Sequence, residues 1–452
     1  MASRNPSDAP VSLPVAPVDR WLAPLSRFLH IEAASGFVLL VCTAVALALA
    51  NSPLAGWFGG VWKTPVSLSL GAFTLSGDVG HLIVNDGLMT LFFFVVGLEL
   101  KRELVHGELR DPRKALLPVF AALGGVLMPA GIYLALQWGE PGQRGWAIPM
   151  ATDIAFVVGF LALFGRRVPL GLKILLLSLA IVDDLVAVLI IAFVFTEAIA
   201  WSWLGAAAIA FAMVVAFHRI GVRAVGVYVA LGAFIWLAFL ESGVHPTVAG
   251  VLLGLLTPAQ AWVGAQSFAD VLQASWQRAI GTGAEPHADA AVAGAARFAA
   301  HESVSPLHRL EHGLHPWVAF VIMPVFALAN AGVTLSPASL GEPVAVAVAV
   351  ALAVGKPVGI LLLCAVAVRL RVTDLPEGVT WGMLAGGACL AGIGFTMALF
   401  LNTLAFPVDR YAVLESAGKV GTLAGSVASA VIGAALLTSV LARSRRTDRS
   451  SM

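Results

Sequence analysis

Two adjacent aspartates, Asp183 and Asp184, lie near the middle of the apolar run 170–195. Successive helical residues point about 100° apart, so one carboxylate can face a water-filled cavity while its neighbour meets another helix. Carboxylate, hydroxyl and carbonyl oxygens suit a hard cation such as Na⁺, and burial disfavours a charged carboxylate. We therefore expect a site that binds either Na⁺ or a proton, the minimum machinery for exchange; a hydrogen-bonded structural pair is the alternative.

Asp153 lies in another apolar run, after Pro149 and Thr152. The proline weakens a helix at this point, and Thr152 adds a hydroxyl beside the carboxylate. A helix broken at mid-membrane exposes carbonyl and amide groups that can line an ion site. The glycine-rich run 392–396 is a second weak point, although close helix packing is an alternative reason for its glycines. Two interrupted helices, one in each half of the chain, indicate a transporter site.

Further charged side chains fall inside apolar runs, where their cost marks pathways or relays by default. Asp86 and Glu99 share the second run. Lys356 lies too deep to reach the membrane surface easily, so we expect it to pair with an acid or to balance the negative end of a broken helix; snorkelling is the alternative. Glu415 and Lys419 are four residues apart and can pair with each other, which favours a structural role.

The elements that carry these charges must be membrane-spanning helices. Hydrophobic residues make up 59% of the 452 residues and charged residues 12%, against about 25% charged residues in a soluble domain. The mean hydropathy is +0.91. The apolar runs are long and unbroken, unlike the alternating segments of a transmembrane β-barrel. The sequence predicts an all-α integral membrane protein in the lipid bilayer, with no nucleic-acid partner.

Twelve apolar runs are separated by charges, prolines and glycines, and a span needs about 20 residues. Positive residues favour the cytoplasmic side of a membrane. If the N-terminus is inside, the tails and the even-numbered connections hold 22 of the 27 Lys and Arg residues. Both termini are therefore predicted to be cytoplasmic. The predicted spans are 32–51, 80–100, 115–137, 146–164, 170–195, 202–218, 225–240, 245–257, 313–332, 344–368, 380–402 and 411–441.

The chain is predicted to contain three parts. A cytoplasmic tail at 1–30 has five prolines and no apolar run, so no cleavable signal peptide is expected. A single twelve-helix domain follows at 31–441, and a basic cytoplasmic tail at 442–452 ends the chain.

Two connections between spans have patterns of their own. The external residues 57–78 alternate between apolar and polar types, which predicts a β-hairpin, with an irregular loop as the alternative. The cytoplasmic connection 258–312 is the longest, and its apolar helical face predicts a helix lying on the membrane surface. That face carries Phe268, Val271, Leu272, Trp276 and Ala279.

Seven short motifs carry a family resemblance. They are FFFVVGLELKREL at 92–104, Thr152-Asp153-Ile-Ala-Phe, Val182-Asp183-Asp184-Leu, Gly243-Val-His245-Pro-Thr, Leu310-Glu311-His312-Gly-Leu-His315-Pro-Trp, Gly355-Lys356-Pro and Gly392-Ile-Gly-Phe-Thr. With them, the chain resembles the NhaA family of bacterial sodium/proton antiporters from about residue 30 to residue 440, and the combination of motifs is highly specific.

The resemblance implies a bacterial inner-membrane protein of twelve transmembrane helices. It implies two inverted three-helix repeats, formed by spans 3–5 and 10–12, with interrupted helices in spans 4 and 11 that cross at mid-membrane. It also implies a homodimer, formed partly through an external hairpin within residues 57–78.

The resemblance also assigns roles to the buried charges. Asp184 would be the principal ligand of Na⁺, and Asp183 a proton carrier paired with Lys356. Asp153 and Lys356 would compensate the ends of the interrupted helices, and Thr152 would lie beside the ion. Asp184, Asp183 and Thr152 are thus the expected Na⁺ ligands.

In the family, activity rises with pH through groups at the cytoplasmic entrance, and exchange is electrogenic. The corresponding residues here are Glu99, Arg102, Glu103, Glu311, His312 and His315. His245 also has a matching position, but a lone histidine at a helix start is more often a capping or packing residue. Residues 262–303 depart from the family pattern as an insertion that leads into Glu311, which puts the pH response in question.

Three other classes of function compete with Na⁺/H⁺ exchange. Oxygen ligands suit all hard cations, so an antiporter or channel for another ion, such as Li⁺, K⁺ or Ca²⁺, is one alternative. The phosphate-binding pattern of an ATP-driven pump is missing from the sequence. An intramembrane aspartyl enzyme would need two facing acids, which Asp153 and Asp184 could supply. We expect a transporter without a cofactor, whose partners are Na⁺ or Li⁺, protons and lipid.

Overall fold

The computed structural model describes residues 32–70, 73–196, 198–222, 224–281, 286–334 and 337–450, so the predicted tail 1–30 lies outside the described residues. Most of the described chain is helical. In order, the helices are α1 Glu32–Ala50, α2 Ala55–Trp62, α3 Val79–Val105, α4 Pro112–Leu136, α5 Pro141–Met150, α6 Ile154–Phe164, α7 Leu170–Val194, α8 Trp201–Arg219, α9 Val225–Ser242, α10 Thr247–Leu256, α11 Ala265–Gly281, α12 Pro286–Glu302, α13 Pro306–Asn330, α14 Pro337–Leu340, α15 Pro343–Arg369, α16 Trp381–Ala391, α17 Phe395–Ala405 and α18 Val408–Ser450.

Eight of the described helices are long and apolar enough to cross a membrane, namely α3, α4, α7, α8, α9, α13, α15 and α18. Three bent pairs raise the number to eleven if each pair is one span: α1 with α2 at 119°, α5 with α6 at 41°, and α16 with α17 at 44°. These elements coincide with eleven of the predicted spans. The chain is thus a multi-pass membrane protein of apolar helices, as the sequence predicts.

The predicted span 245–257 is the ten-residue helix α10, about half the length that a span needs. Local chemistry ends the helix before it, α9, and also ends α10. Gly243 closes α9 with a φ of +81°, which glycine adopts at little cost. Thr257 is extended because it precedes Pro258, and a proline disfavours helical backbone in the residue before it.

The outer surface of the helices is strongly apolar. Large side chains such as Phe193, Leu163 and Ile220 are more than 70% exposed, as expected where lipid replaces water. Exposed tryptophans accompany them at the ends of helices, a position typical of the membrane interface. They are Trp57, Trp138, Trp201 and Trp381.

Helices α4 and α15 pack closely where two glycines meet. A Cβ placed on Gly124 would lie 2.0 Å from the carbonyl oxygen of Gly359, and one on Gly359 would lie 2.0 Å from that of Gly124. Small residues at such crossings let helix backbones approach in membranes. This crossing lies one turn from Lys356 and brings that residue against α4.

The predicted β-hairpin is present. Strand β1, Pro65–Leu70, pairs with antiparallel strand β2, Phe73–Asp78, with Leu68 opposite Leu75. The alternating pattern therefore indicated a hairpin rather than an irregular loop. The predicted turn, residues 71–72, lies outside the described residues.

The insertion at 262–303 contains two helices, α11 and α12, that pack against each other. The Val263 amide donates to the Glu302 carbonyl over 3.0 Å, so the insertion leaves and rejoins the chain at one point. Of the predicted apolar face, Phe268 and Val271 are half-buried and Leu272 is exposed. The side chains of Trp276 and Ala279 lie outside the described residues.

Candidate functional site

The two interrupted spans meet at their breaks. Helix α5 ends at Met150, one residue after Pro149, and α6 begins at Ile154. The Asp153 amide donates to the Ile393 carbonyl, in the break between α16 and α17, over 2.7 Å. A Cβ on Gly394 would lie 2.8 Å from the Ala151 carbonyl oxygen, so glycine permits this close approach.

Asp153 caps the N-terminal ends of two helices with one side chain. Its Oδ1 accepts a hydrogen bond from the Phe156 amide in α6 over 3.4 Å. Its Oδ2 accepts from the Thr396 amide in α17 over 3.0 Å, and also from the Thr396 hydroxyl. Helix N-termini carry partial positive charge and unpartnered N–H groups. A buried carboxylate at this point stabilises both helix ends.

Lys356 lies on the opposite side of the break in span 4. Its side chain is fully buried, and its Nζ lies 2.9 Å from Asp183 Oδ2, so it does not snorkel to the surface. The same ammonium donates to the carbonyl of Met150, the last residue of α5. It therefore neutralises a carboxylate and the negative end of a helix together.

The two adjacent aspartates of α7 have different surroundings. Asp183 Oδ2 contacts Lys356 and the Thr152 hydroxyl, the latter over 2.7 Å, whereas Asp183 Oδ1 has no hydrogen-bond partner among the described residues. Both oxygens of Asp184 are buried and also lack a partner there. Unpartnered buried oxygens are costly, so this position favours an occupant that neutralises or coordinates the carboxylate.

Thr152 contacts Asp183 rather than Asp184. Its Oγ1 lies 2.7 Å from Asp183 Oδ2 and 3.1 Å from the Ala391 carbonyl. A hydroxyl has one hydrogen to donate but keeps lone pairs for a cation. Thr152 therefore links the break in span 4, α7 and the break in span 11.

Two cavities lie beside α7. The larger, of about 610 Å³, is lined by residues from Glu103 to Lys114 and by Ile174, Leu177 and Ser178. The smaller, of about 240 Å³, lies between α6 and α7 and shares Ile174 and Leu177 with the larger one. Leu177 lies seven residues before Asp184, which is about two helical turns or 10 Å. Both cavities therefore lie on the side of α7 that faces the end of the bundle rich in Lys and Arg, and their linings stop short of Asp184.

An ionic cluster lies at the same end. Arg102 contacts the buried carboxylate of Glu311 and lies 3.6 Å from Glu103. The second oxygen of Glu311 has no hydrogen-bond partner in the described part of the chain. Glu99 lies about one helical turn before Arg102 and Glu103 on α3, so the three side chains share a face of that helix.

The predicted histidines do not join this cluster as contacts. His312 and His315 are exposed, and His312 stacks on His308 with ring centroids 6.4 Å apart. These histidines lie on the first turns of α13, and their side chains do not contact Glu311.

His245 lies elsewhere. Its Nε2 is 3.7 Å from Asp86 Oδ1, and its Nδ1 is 2.8 Å from the Thr247 hydroxyl at the start of α10. Asp86 precedes Arg102 by sixteen residues on α3, or about 24 Å of helix. The structure therefore does not bring His245 to the ionic cluster, and its position agrees with a packing role at a helix start.

Thr396 is the site residue that the sequence did not single out. It belongs to the glycine-rich run at 392–396, but nothing in that run indicates Asp153 as its partner. Sodium would be cargo here and not a resident metal. Within the described ranges, groups of three or more His, Cys, Asp or Glu side chains that could hold a metal ion are not found.

Comparison with known proteins agrees with this geometry. A family model described as Na⁺/H⁺ antiporter 1 matches residues 26–437. The protein named Na(+)/H(+) antiporter NhaA from Rhodopirellula baltica is 48% identical over 450 residues, which cover 98% of this chain and 100% of that protein. The protein of the same name from Rhizobium meliloti is 47% identical over 445 residues, covering 97% of this chain and 100% of that protein.

Proposed function

Because the chain belongs to the Na⁺/H⁺ antiporter 1 family, whose members are transporters without a cofactor and not enzymes, we propose that it exports Na⁺, and also Li⁺, in electrogenic exchange for protons under the control of pH. Membership excludes the intramembrane aspartyl enzyme. The observation that carries the proposal is Asp184, whose two buried oxygens have no partner within the described chain.

Asp184 is the group at which Na⁺ and protons compete. A bare carboxylate at this depth is costly, so it binds a cation or a proton. Asp183 Oδ1 and the lone pairs of Thr152 are the further oxygens that could coordinate the ion. When Na⁺ leaves, a proton takes its place on Asp184, and this exclusion links the two fluxes.

Asp183 supplies the second proton position. Its pairing with Lys356 at 2.9 Å keeps it charged and structured, and a proton on Asp183 would release the ammonium. Two carboxylates that serve one Na⁺ allow more protons to move inward than sodium ions outward, which makes the exchange electrogenic.

The breaks provide the element that can move. Asp153 and Lys356 neutralise three helix ends at one point, so a rearrangement of the broken helices need not leave a helix terminus uncompensated. Alternating access would then expose Asp184 first to the cavities beside α7 and later to the opposite face.

For the membrane arrangement, we propose twelve spans with both termini in the cytoplasm, in the inner membrane of a bacterium. This counts the ten-residue helix α10 as the twelfth span, supported on one side by α3, against which it packs. The placement of 22 of 27 Lys and Arg residues supports the orientation. Spans 3–5 and 10–12 would form the inverted repeats, each with its interrupted helix in the middle.

Regulation by pH is assigned to the ionic cluster at the entrance. Glu99, Arg102, Glu103 and Glu311 form a set of like and opposite charges, whose balance changes with pH and could bias closed against open arrangements. Simple competition between protons and Na⁺ at Asp184 is the alternative account.

Proton flux in proteoliposomes tests the proposed function. Purified protein would be reconstituted and challenged with Na⁺, Li⁺, K⁺ and Ca²⁺ over a range of pH. We expect Na⁺ and Li⁺ to drive proton movement in the parent and Asp184→Asn to abolish it while the protein stays folded. Asp409→Asn, a change of an exposed aspartate at the start of α18, is the matched control. Transport with normal apparent affinity in Asp184→Asn would remove Asp184 from the site, and a response to K⁺ or Ca²⁺ alone would replace the proposed cargo.

A further inference from the structure

Thr396 makes two hydrogen bonds to the same oxygen of Asp153. Its amide N–H lies 3.0 Å from Asp153 Oδ2, and its hydroxyl also donates to that atom. Thr396 is the second residue of α17, so the amide is one of the N-terminal donors that any residue would present there. The hydroxyl is different, because serine shares it and alanine or valine lacks it.

The Thr396 hydroxyl is connected to the ion site through Asp153 and Thr152. Asp153 joins the two breaks through its amide, which donates to Ile393, and through its carboxylate. The residue before Asp153 is Thr152, whose hydroxyl lies 2.7 Å from Asp183 Oδ2. A backbone shift at Asp153, which these hydrogen bonds oppose, would therefore turn Thr152 away from Asp183.

We propose that Thr396 is a positioning residue for ion binding: its hydroxyl fixes Asp153 between the two breaks and thereby holds the Thr152 hydroxyl against Asp183. The inference rests on the proposed exchange at Asp183 and Asp184. In the described part of the chain, the hydrogen bonds of the Thr396 side chain go to Asp153 and not to either of these aspartates.

The expected effect is on sodium affinity. Hydrogen bonds to charged groups are among the stronger ones in proteins, and losing one corresponds to about a tenfold change in an equilibrium constant. Without the hydroxyl, Na⁺ binding must order Thr152 and Asp153 itself, so the KM for Na⁺ rises about tenfold. The maximal rate changes less, because the exchanging aspartates are intact.

The same loss moves the pH profile in a defined direction. At a fixed Na⁺ concentration, weaker Na⁺ binding lets protons compete more strongly. The pH of half-maximal transport then rises by about one unit, since one pH unit is tenfold in proton concentration.

The test compares Thr396→Ala with Thr396→Ser in proteoliposomes, because these variants differ from each other by one oxygen atom. Thr396→Val, which keeps the shape of threonine, is a third variant. Thr403→Val is the matched control: it lies on the same helix, and its hydroxyl bonds the Phe400 carbonyl over 2.8 Å. The KM for Na⁺, the maximal rate per folded molecule and the pH profile would be measured for each.

Serine is expected to keep the KM of the parent, and alanine and valine to raise it about tenfold with an alkaline shift. If Thr396→Val fails to fold, the serine–alanine pair still decides. Equal KM values and pH profiles in serine and alanine overturn the positioning role while leaving the proposed function intact. If instead the parent shows no Na⁺-driven proton flux, or Asp184→Asn retains it, the proposed function and this inference fall together.

Discussion

The Lys356 ammonium lies 2.9 Å from the Asp183 carboxylate, although 172 residues of the chain separate them. Neither side chain reaches solvent. Each can therefore carry its charge inside the membrane only because the other neutralises it. The pair also stands beside Asp184, which interacts with both members. A substitution in this pair is therefore expected to change both transport and stability.

Lys356→Ala would leave Asp183 buried without its cation. Breaking a buried ion pair costs about 3–5 kcal/mol, and an unpaired Asp183 favours its neutral form. We expect a lower melting temperature and a displaced pH profile of transport. Lys419→Ala is the matched control, because it breaks a second, largely buried pair, with Glu415 at 2.6 Å, that we place outside the exchange machinery. The control should lose stability and keep its pH profile. An unchanged melting temperature and profile in Lys356→Ala would contradict the proposed pairing.

The entrance cluster predicts a dependence of the maximal rate on pH. If Arg102 and Glu311 form a gate, the maximal rate of the parent stays low at acidic pH whatever the Na⁺ concentration, and Glu311→Gln weakens this dependence. Pure competition at Asp184 predicts instead that saturating Na⁺ restores the full rate. Maximal rates measured from pH 6 to 9 separate the two accounts, with Glu377→Gln, an exposed acid, as control. Full rescue of the parent by Na⁺ at low pH would show that the cluster is not a gate.

The glycine crossing of α4 and α15 predicts a stability effect. Gly124→Ala places a methyl group 2.0 Å from the Gly359 carbonyl oxygen, and such overpacking costs about 1–3 kcal/mol. Gly131→Ala on the same helix is the control, because a Cβ there meets nothing within 4 Å. Melting temperatures in the same detergent compare them. We expect only Gly124→Ala to melt earlier, and equal melting temperatures would show that the crossing relaxes freely.

We expect the β-hairpin to be needed for dimer formation but not for transport. Its strands lie outside the helices, and Leu68 on β1 is 58% exposed, which suits a contact between two copies of the chain. We expect the parent to form a dimer, and the replacement of Pro65–Asp78 with a short glycine–serine linker to yield a monomer at the same concentration, by native mass spectrometry or crosslinking in lipid. Na⁺-driven proton flux should persist. A dimer that survives the replacement would place the interface elsewhere.

The sequence by itself determined the elements and their weak points. Hydropathy over about 20 residues is a local property, so apolar runs predicted the positions of the helices, and the alternation near Leu68 predicted the hairpin. Pro149 and the glycines at 392 and 394 predicted the breaks for the same reason, since they act on the backbone of their own neighbours. The aspartates of α7 stood out because charge within an apolar run is costly wherever the run is placed.

Only the tertiary structure decided which of these groups meet. The Thr396 hydroxyl bonds Asp153 because the two breaks lie against each other, a fact of helix packing that neither segment encodes alone. Packing likewise placed Thr152 on Asp183 and left Asp184 without a partner among the described residues. Helix packing also places His245 beside Asp86, whereas Glu311 contacts Arg102. Residue type sets what a side chain can bind, whereas its partner depends on the crossing of helices distant in the chain.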